Sequence, residues 1–226
     1  MAGYSTQSVV QHTFAMLFYV MEKLNYYDNY VKSGDYIKSS SFTNFDKVFP
    51  ELFGKTWGII GLGEIGRNVA SIARAFGCRV IYYSTSGKNS NPDYEQVTFD
   101  ELLEEADVIS VHAPLNITTE NLMNYDAFTK MKKSAIFINV GRGPIVNEAD
   151  LAKALKEDLI AGAALDVICR EPMLADNPLY EVKDSCKLLI TPHIAWATYE
   201  ARVRLMDEVY ENIIAYTKGQ DRNVIK

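Results

Sequence analysis

Residues 57–66 read Trp-Gly-Ile-Ile-Gly-Leu-Gly-Glu-Ile-Gly, an apolar run that leads directly into Gly-x-Gly-x-x-Gly, with an amphipathic segment behind it. In this order Gly61 permits a tight turn, Gly63 lets the backbone approach a pyrophosphate, and Gly66 lets the next helix pack on the strand. The free N–H groups at the start of that helix face the phosphates. The stretch therefore predicts a dinucleotide site whose first residues are Gly61, Gly63, Glu64, Ile65 and Gly66.

Length and composition are those of a globular chain, with 226 residues, 48% hydrophobic and 23% charged. A net charge of −6 argues against nucleic acid or an acidic membrane surface as the main partner. The widely spaced Cys78, Cys169 and Cys186 indicate reduced thiols, with neither a disulfide framework nor a zinc or other metal site. No secretory signal is visible, and the apolar stretch Phe14–Met21 is too short to span a bilayer. We therefore expect a cytoplasmic protein.

Short apolar strands alternate with helices after the glycine turn. The predicted strands are Thr56–Ile60, Arg79–Tyr83, Val108–Ala113, Ala135–Val140, Ala161–Val167 and Leu188–Thr191. The predicted helices run from the glycine turn to Gly77, from the capping box at Thr98 to Glu105, over Asn147–Glu157, and over Thr198–Thr217. This alternation predicts an α/β fold, a Rossmann-type doubly wound parallel sheet covered on both faces.

The N-terminal region differs from the rest. Ser8–Tyr27 is predicted to be one helix that is apolar nearly all round, so it is either deeply buried or half-covered by a second subunit. Asn25–Phe53 is predicted to be a polar and aromatic arm with little periodicity.

Open parallel sheets bind ligands beyond the carboxyl ends of their strands. Arg142 follows the fourth predicted strand, Glu171 the fifth and His193 the sixth. Singly, each has an ordinary interpretation: a solvated loop arginine, a turn carboxylate, and a histidine hydrogen-bonded for structural reasons. Together, beside a dinucleotide site, they form a sensible reaction centre.

The chemistry of this triplet suits hydride transfer. Arg142 offers a planar fork that matches a carboxylate and an adjacent carbonyl oxygen. His193 can exchange a proton near neutral pH, and Glu171 can hold its imidazole and stabilise the cationic form. The reaction predicted is hydride transfer to the carbonyl carbon of a 2-oxo acid, with His193 protonating the oxygen.

At this point the chain resembles the D-isomer-specific 2-hydroxyacid dehydrogenases, over essentially its whole length. The resemblance rests on five motifs: Gly61–Gly66, His112-Ala113-Pro114-Leu115, Asn139–Gly143, Asp166–Pro172 and Pro192–Ala195. It implies that Arg142, Glu171 and His193 are catalytic. It also implies that Asp166 contacts the nicotinamide carboxamide and that the cofactor lies beside His112, Pro114, Val140, Gly141 and Ala195. The tail around Trp196 looks most like the glycerate dehydrogenase, or hydroxypyruvate reductase, branch, with hydroxypyruvate or glyoxylate as the substrate class.

Two departures from the family pattern stand out. Family members usually carry a substrate-binding domain of roughly a hundred residues before the segment that starts here at Gly3. We therefore expect the cleft to be open on one side. The second departure lies at the end of the second strand, where Ser84 takes the place of the acidic residue that binds the ribose 2′-hydroxyl. A 2′-phosphate could bind the hydroxyls and ammonium of Ser84, Thr85, Ser86 and Lys88, or the neutral site could still take NAD, so NAD and NADP both remain open.

The resemblance also implies a homodimer and a division of the chain. Residues 1–53 would form an N-terminal helix and dimerisation arm, residues 54–196 the NAD(P)-binding Rossmann domain, and residues 197–226 a C-terminal helix returning toward the substrate domain. An alternative hypothesis is a non-catalytic dinucleotide-binding dimerisation module.

Overall fold

A seven-stranded parallel sheet forms the centre of the molecule in the computed structural model, which describes residues 3–88 and 90–224. The strand order is β3-β2-β1-β4-β5-β6-β7, so the order reverses between β1 and β4. The strands are β1 Thr56–Ile60, β2 Arg79–Tyr83, β3 Glu95–Gln96, β4 Val108–Val111, β5 Ile136–Asn139, β6 Gly162–Leu165 and β7 Leu188–Ile190. The predicted doubly wound parallel α/β fold is confirmed.

Helices cover both faces of the sheet. They are α1 Thr6–Met21, α2 Leu24–Lys32, α3 Asp35–Lys38, α4 Glu64–Ala75, α5 Phe99–Glu105, α6 Tyr125–Lys130, α7 Glu148–Lys156 and α8 Tyr199–Thr217. Side chains alternate along β1: Trp57 and Ile59 pack in the core shared with α1 and α4, while Ile60 packs in the core shared with α5, α6 and α7. Because both faces are buried, the central strands are apolar throughout.

Most predicted elements after the glycine turn are present. β1 and β2 have the predicted ends, whereas the other four predicted strands are one to three residues longer than those observed. The extra residues include Ala113, Val140 and Val167, apolar side chains that follow the last strand residue, so hydrophobicity alone overstates the strand length. The capping box is present, with the Thr98 hydroxyl accepting from the Glu101 N–H and the Glu101 carboxylate accepting from the Thr98 N–H.

The prediction of one helix over Ser8–Tyr27 is wrong. α1 ends at Met21, Lys23 adopts a left-handed conformation with φ of 58°, and α2 begins at Leu24. The ammonium of Lys23 donates to the carbonyl of Cys186 at 2.8 Å, which fixes this corner against the sheet. α1 itself is deeply buried within the chain, the first of the two alternatives for this helix.

The arm is more ordered than its sequence suggests. The arm over Asn25–Phe53, predicted to be polar and aromatic with little periodicity, contains the helices α2 and α3, and i,i+4 pairs support the largely polar α2. Tyr26 stacks on Tyr30 at 6.5 Å, and Asp28 pairs with Lys32 at 2.7 Å. Exposed apolar side chains mark the end of α3 and the irregular chain behind it: Ile37, Phe42, Phe45, Val48 and Phe53.

Two short elements were not predicted. β3 has two residues and α6 has six, too few for a periodic pattern to be visible in the sequence. Within residues 3–88 and 90–224, none of the helices combines the length and the apolarity needed to cross a membrane.

Candidate active site

The glycine turn lies where the strand order reverses, the position at which open α/β sheets bind ligands. Gly61 has a φ of 91° and its N–H donates to the carbonyl of Tyr83 at 3.0 Å. A Cβ on Gly61 would lie 2.8 Å from the backbone nitrogen of Ala113, and one on Gly66 would overlap the carbonyl oxygen of Gly61. Both positions therefore require glycine.

Gly63 has the opposite surroundings. A Cβ added there would meet no atom within 4 Å among the described residues. Gly63 is also the N-cap of α4, and no side chain of residues 3–88 and 90–224 caps the N–H groups that follow it. The helix thus opens on free space with unpaired donors, which fits a pyrophosphate. Glu64 and Ile65 begin this helix, and the Glu64 carboxylate accepts from the Thr6 hydroxyl at 3.1 Å.

The loop after β2 starts beside the glycine turn. The hydroxyl oxygen of Ser84 is buried and has no hydrogen-bond partner within the described part of the chain. The Gly87 N–H donates to the Ser84 carbonyl at 3.2 Å, and the Lys88 N–H donates to the Ser86 hydroxyl at 3.3 Å. Thr85 is partly exposed and Lys88 exposed. An unpartnered buried hydroxyl next to the turn fits a ribose hydroxyl.

His112 follows β4 on the other side of the turn. Its Nε2 lies 2.9 Å from the Ser110 hydroxyl, which also accepts from the Trp57 indole N–H at 2.8 Å. The ring is buried although the residue keeps some exposed surface, and burial lowers the pKa of His112 to about 3. His112 is therefore neutral near pH 7, and its buried Nδ1 has no partner in the described ranges. Further along this loop, the Pro114 carbonyl accepts from the Thr119 hydroxyl at 2.7 Å.

Buried Asn139 shapes the loop that carries Arg142. Its side-chain amide donates to the Arg142 carbonyl at 2.9 Å, and its side-chain oxygen accepts from the Gly141 N–H at 3.0 Å. A Cβ on Gly141 would lie 3.1 Å from the Ala113 carbonyl, so the chain after Val140 passes close to the His112 loop. The guanidinium of Arg142 is exposed and donates to the Gly141 carbonyl at 2.8 Å.

Glu171 lies in the loop after β6, which is held by α7. The Glu148 carboxylate accepts from the Cys169 N–H at 2.6 Å and from the Asn177 side-chain amide at 2.8 Å. A side chain on Gly143 would overlap the backbone of Ile168, so the Arg142 and Glu171 loops are in direct contact. Neither Asn139 nor Glu148 was predicted as a site residue, because polar groups that organise loops leave no pattern in the sequence.

The structure brings Glu171 and His193 together. Glu171 Oε2 lies 2.7 Å from His193 Nδ1, and the side chains are 37% and 41% exposed. A carboxylate only accepts, so Nδ1 carries the hydrogen and Nε2 is left to exchange a proton with a ligand. The other oxygen of Glu171 accepts from the Ile168 N–H at 3.2 Å. Arg142 makes no hydrogen bond or ion pair with either member of this pair.

His193 lies in a strained turn that Asp166 organises. Its φ is 55°, and its N–H donates to the Asp166 carbonyl at 2.8 Å. The Asp166 carboxylate is 1% exposed and accepts from the Ile194 N–H at 2.9 Å and the Ala195 N–H at 2.8 Å. Burial acts to raise the pKa of Asp166, but the hydrogen bonds from His12, Thr191 and these amides outweigh it and lower the pKa. Asp166 is therefore an anion inside the fold.

Two residues of α1 that the sequence analysis did not single out reach this turn. His12 Nε2 lies 3.0 Å from the Thr191 hydroxyl and 3.5 Å from the Asp166 carboxylate. The Ser8 hydroxyl donates to the Ala195 carbonyl at 2.5 Å. The only sequence signal was that His12 is one of three histidines in the chain.

A cavity of about 750 Å³ borders the Glu171–His193 pair on the side of β7. Its walls are mostly apolar and include Leu179, Val182 and Ile190, with Lys183 as the cation. A ligand held at the pair therefore meets an apolar wall on this side.

Comparison with known proteins gives a family match. The model of the D-isomer specific 2-hydroxyacid dehydrogenase NAD binding domain matches residues 14–195. Glycerate dehydrogenase of Methylorubrum extorquens is 36% identical, over 99% of this chain and 69% of that protein. Hydroxypyruvate reductase of Blautia hydrogenotrophica is 39% identical, over 98% of this chain and 69% of that protein.

Solved structures agree with this match. An acyclic imino acid reductase, Bsp5, in complex with NADPH and D-Arg superimposes with a TM-score of 0.85 and 36% identity, covering 99% of this chain and 69% of that one. D-lactate dehydrogenase of Aquifex aeolicus, complexed with NAD and lactic acid, superimposes with a TM-score of 0.87 and 30% identity. The match covers 97% of this chain and 68% of that one.

Proposed function

The chain belongs to the D-isomer-specific 2-hydroxyacid dehydrogenase family, and on this premise we propose that it transfers hydride between NAD(P)H and a small 2-oxo acid. The observation that carries the proposal is the 2.7 Å contact between Glu171 and His193, on the edge of the sheet that also holds the glycine turn. Hydroxypyruvate or glyoxylate is the proposed substrate class, since relatives named glycerate dehydrogenase, hydroxypyruvate reductase and glyoxylate reductase match nearly the whole chain.

The proposed cofactor site follows the crevice across the sheet. The space over Gly63 takes the pyrophosphate, and the Ser84 hydroxyl takes the adenosine ribose. When bound, the nicotinamide cofactor would supply the hydride, and Val140, Gly141 and His112 would help to hold it. The Asp166 carboxylate and Ala195 border the nicotinamide end, where Oδ2 of Asp166 has one described donor and can accept a second.

The chain's own residues handle the proton and the substrate charge. In reduction, His193 Nε2 gives a proton to the carbonyl oxygen as it becomes a hydroxyl, and in oxidation it takes the proton back. Glu171 holds Nδ1–H, which fixes the ring and stabilises the imidazolium. Arg142 binds the substrate carboxylate; its present bond is to an exposed backbone carbonyl, so turning toward substrate costs little.

A direct assay tests the proposal. We expect the chain to oxidise NADH or NADPH when hydroxypyruvate or glyoxylate is added, followed by the absorbance of the reduced nicotinamide. His193→Ala removes the proton donor and should lower turnover by a factor on the order of 10² to 10⁴, while cofactor affinity measured by calorimetry stays the same. Near-normal turnover in that variant would contradict the mechanism.

A second candidate function is a non-catalytic dinucleotide-binding module. The observation that favours it is the exposure of the catalytic pair, 37% for Glu171 and 41% for His193, because water weakens the electrostatic effects that closure strengthens. Cofactor binding without turnover of either acid would support this module. Turnover that His193→Ala abolishes would exclude it.

We also propose the division into an arm (residues 1–53), a dinucleotide-binding domain (54–196) and a C-terminal helix (197–226) that packs on a substrate-binding domain. α8 supports this with an exposed apolar stripe at spacings of four and three residues: Tyr199, Val203, Met206, Tyr210 and Ile213. Such a stripe requires a partner surface.

A homodimer formed through the arm is the proposed assembly. Phe42, Phe45 and Val48 are 90%, 82% and 89% exposed, a density of apolar surface that a monomer rarely leaves in water. Light scattering at micromolar concentration should give the mass of two chains. Phe42→Ser with Phe45→Ser should give one folded chain; a monomer before these changes would contradict the proposal.

A further inference from the structure

We propose that His12 is a positioning residue of the active site, acting through Thr191 and Asp166 on the turn that presents His193. The proposal rests on the dehydrogenase function proposed above, because it assigns His12 to that same site. It starts from a contact between the first helix and the residue that follows the last strand: His12 Nε2 lies 3.0 Å from Thr191 Oγ1, across 179 residues of sequence.

The direction of each hydrogen bond follows from the number of protons available. The Thr191 hydroxyl has one hydrogen, and its oxygen lies 2.5 Å from Asp166 Oδ1. A carboxylate can only accept, so the Thr191 hydroxyl donates its one hydrogen to Asp166. Its oxygen must therefore accept from His12. His12 therefore carries its hydrogen on Nε2, a tautomer set by the network and not by the ring itself.

Asp166 passes the constraint on to the backbone around His193. Its carboxylate accepts from the N–H groups of Ile194 and Ala195, and its carbonyl accepts from the His193 N–H. The carbonyl thus binds the N–H of His193 itself, and the carboxylate binds the two N–H groups that follow it. His193 has a left-handed conformation, which a histidine adopts only when its surroundings hold it. The Asp166 carboxylate thus holds the backbone from which the His193 ring projects, while Glu171 holds the ring at Nδ1.

α1 holds the His193 turn at two points, one through Ser8 and one through His12, and the two residues have different roles. Ser8 binds the Ala195 carbonyl directly, so it holds the end of the turn without involving Asp166. His12 instead contacts Thr191, and its Nε2 lies 3.5 Å from the Asp166 carboxylate. Loss of His12 should therefore misalign the carboxylate and leave the helix docked.

The tautomer test needs no turnover. Nitrogen-15 NMR of histidine-labelled protein, with the three rings assigned by single variants, should show His12 as the Nε2–H form. In His12→Phe, which keeps an aromatic ring but has no donor, the His193 ring signals should shift. An Nδ1–H tautomer, or unchanged His193 signals in His12→Phe, would overturn the proposal.

Kinetics give the second test. His12→Phe should lower kcat about tenfold while the NADH dissociation constant changes less than about twofold, since the pyrophosphate site is untouched. His12→Gln, whose amide can donate to Thr191, should recover kcat to within about threefold of the unmodified chain. Thr191→Val should resemble His12→Phe, and combining the two should cost no more than either alone.

These outcomes separate the two proposals. If the unmodified chain turns over neither acid, the proposed function fails, and the NMR result alone decides the role of His12. If the chain is active and His12→Phe and His12→Gln are equally impaired, or both are normal, the positioning role is refuted while the enzyme assignment stands.

Discussion

The glycine turn and the His193 turn lie on the same edge of the sheet, but different forces hold them. The glycine turn is fixed by the absence of side chains: Gly61 and Gly66 have no room for a Cβ. The His193 turn is fixed by a buried anion, Asp166, with partners on α1 and in the segment after β7. The first is a local steric solution, and the second needs groups from both ends of the chain.

This difference explains what substitution should do at each place. Steric fits fail abruptly, because backbone atoms cannot move aside without disrupting the packed sheet. A hydrogen-bonded turn fails by degrees, because each lost partner removes one constraint and leaves the others in place.

The largest expected effect is the loss of stability when the steric fit of the glycine turn is broken. Gly66→Val should lower the free energy of unfolding by about 4 kcal/mol or more, because its side chain would overlap the Gly61 carbonyl. Gly63→Val, the matched control, faces open space and should fold normally, yet weaken cofactor binding at least about 100-fold by filling the pyrophosphate site. Denaturation and calorimetry measure the two quantities. Undiminished affinity in Gly63→Val would remove the basis of the cofactor site.

Substitution in the hydrogen-bonded His193 turn should lower the free energy of unfolding by less. Asp166→Asn turns an acceptor oxygen into a donor facing N–H groups, and should lower the free energy of unfolding by about 3 kcal/mol. Asp207→Asn, an exposed carboxylate on α8, is the control and should change stability by less than about 0.5 kcal/mol. Equal effects in the two variants would mean that Asp166 does not hold the turn.

A smaller effect comes from pH. Burial holds the pKa of His112 at about 3, below the value of about 6.5 in an unfolded chain. As the pH falls, the unfolded state therefore binds a proton before the folded state does. The contribution of neutral His112 to the free energy of unfolding is complete above about pH 6.5. Below that pH it falls by about 1.4 kcal/mol per pH unit, down to the folded pKa. Urea unfolding at pH 7.5 and 5.5 should show this loss, and His112→Asn should remove about that much of the pH dependence. An unchanged slope in the variant would show that His112 is not the responsible group.

The smallest effect concerns cofactor choice. Ser84→Asp places a carboxylate where a 2′-phosphate would lie and should shift the ratio of NAD to NADP affinity about tenfold toward NAD, or about 1.4 kcal/mol. Ser134→Asp, before β5 at the opposite edge of the sheet, should leave the ratio unchanged. If Ser84→Asp also leaves the ratio unchanged, the loop after β2 does not distinguish a ribose 2′-hydroxyl from a 2′-phosphate.

The comparison also explains what the sequence could predict. The glycine turn, the sheet and the family membership were predicted correctly, because they rest on periodicity and on residues adjacent in the chain. His12, Ser8 and Asn139 were not recognised, because their partners are set by the folded topology. The break at Lys23 was missed for a similar reason: a left-handed lysine has no signature of its own, and its contact lies 163 residues away.

The docking of α1 on β5, β6 and β7 has a consequence for the chain as it is synthesised. α1 precedes every strand of the sheet in the chain, and β7 begins only at Leu188. At about 5 to 20 residues per second, the gap of some 170 residues lasts roughly 10 to 30 seconds. Until then Leu17 and Val20 lack part of the surface that buries α1, although both are fully buried in the finished protein. The helix that secures the His193 turn thus completes its docking only when the last strand has been made.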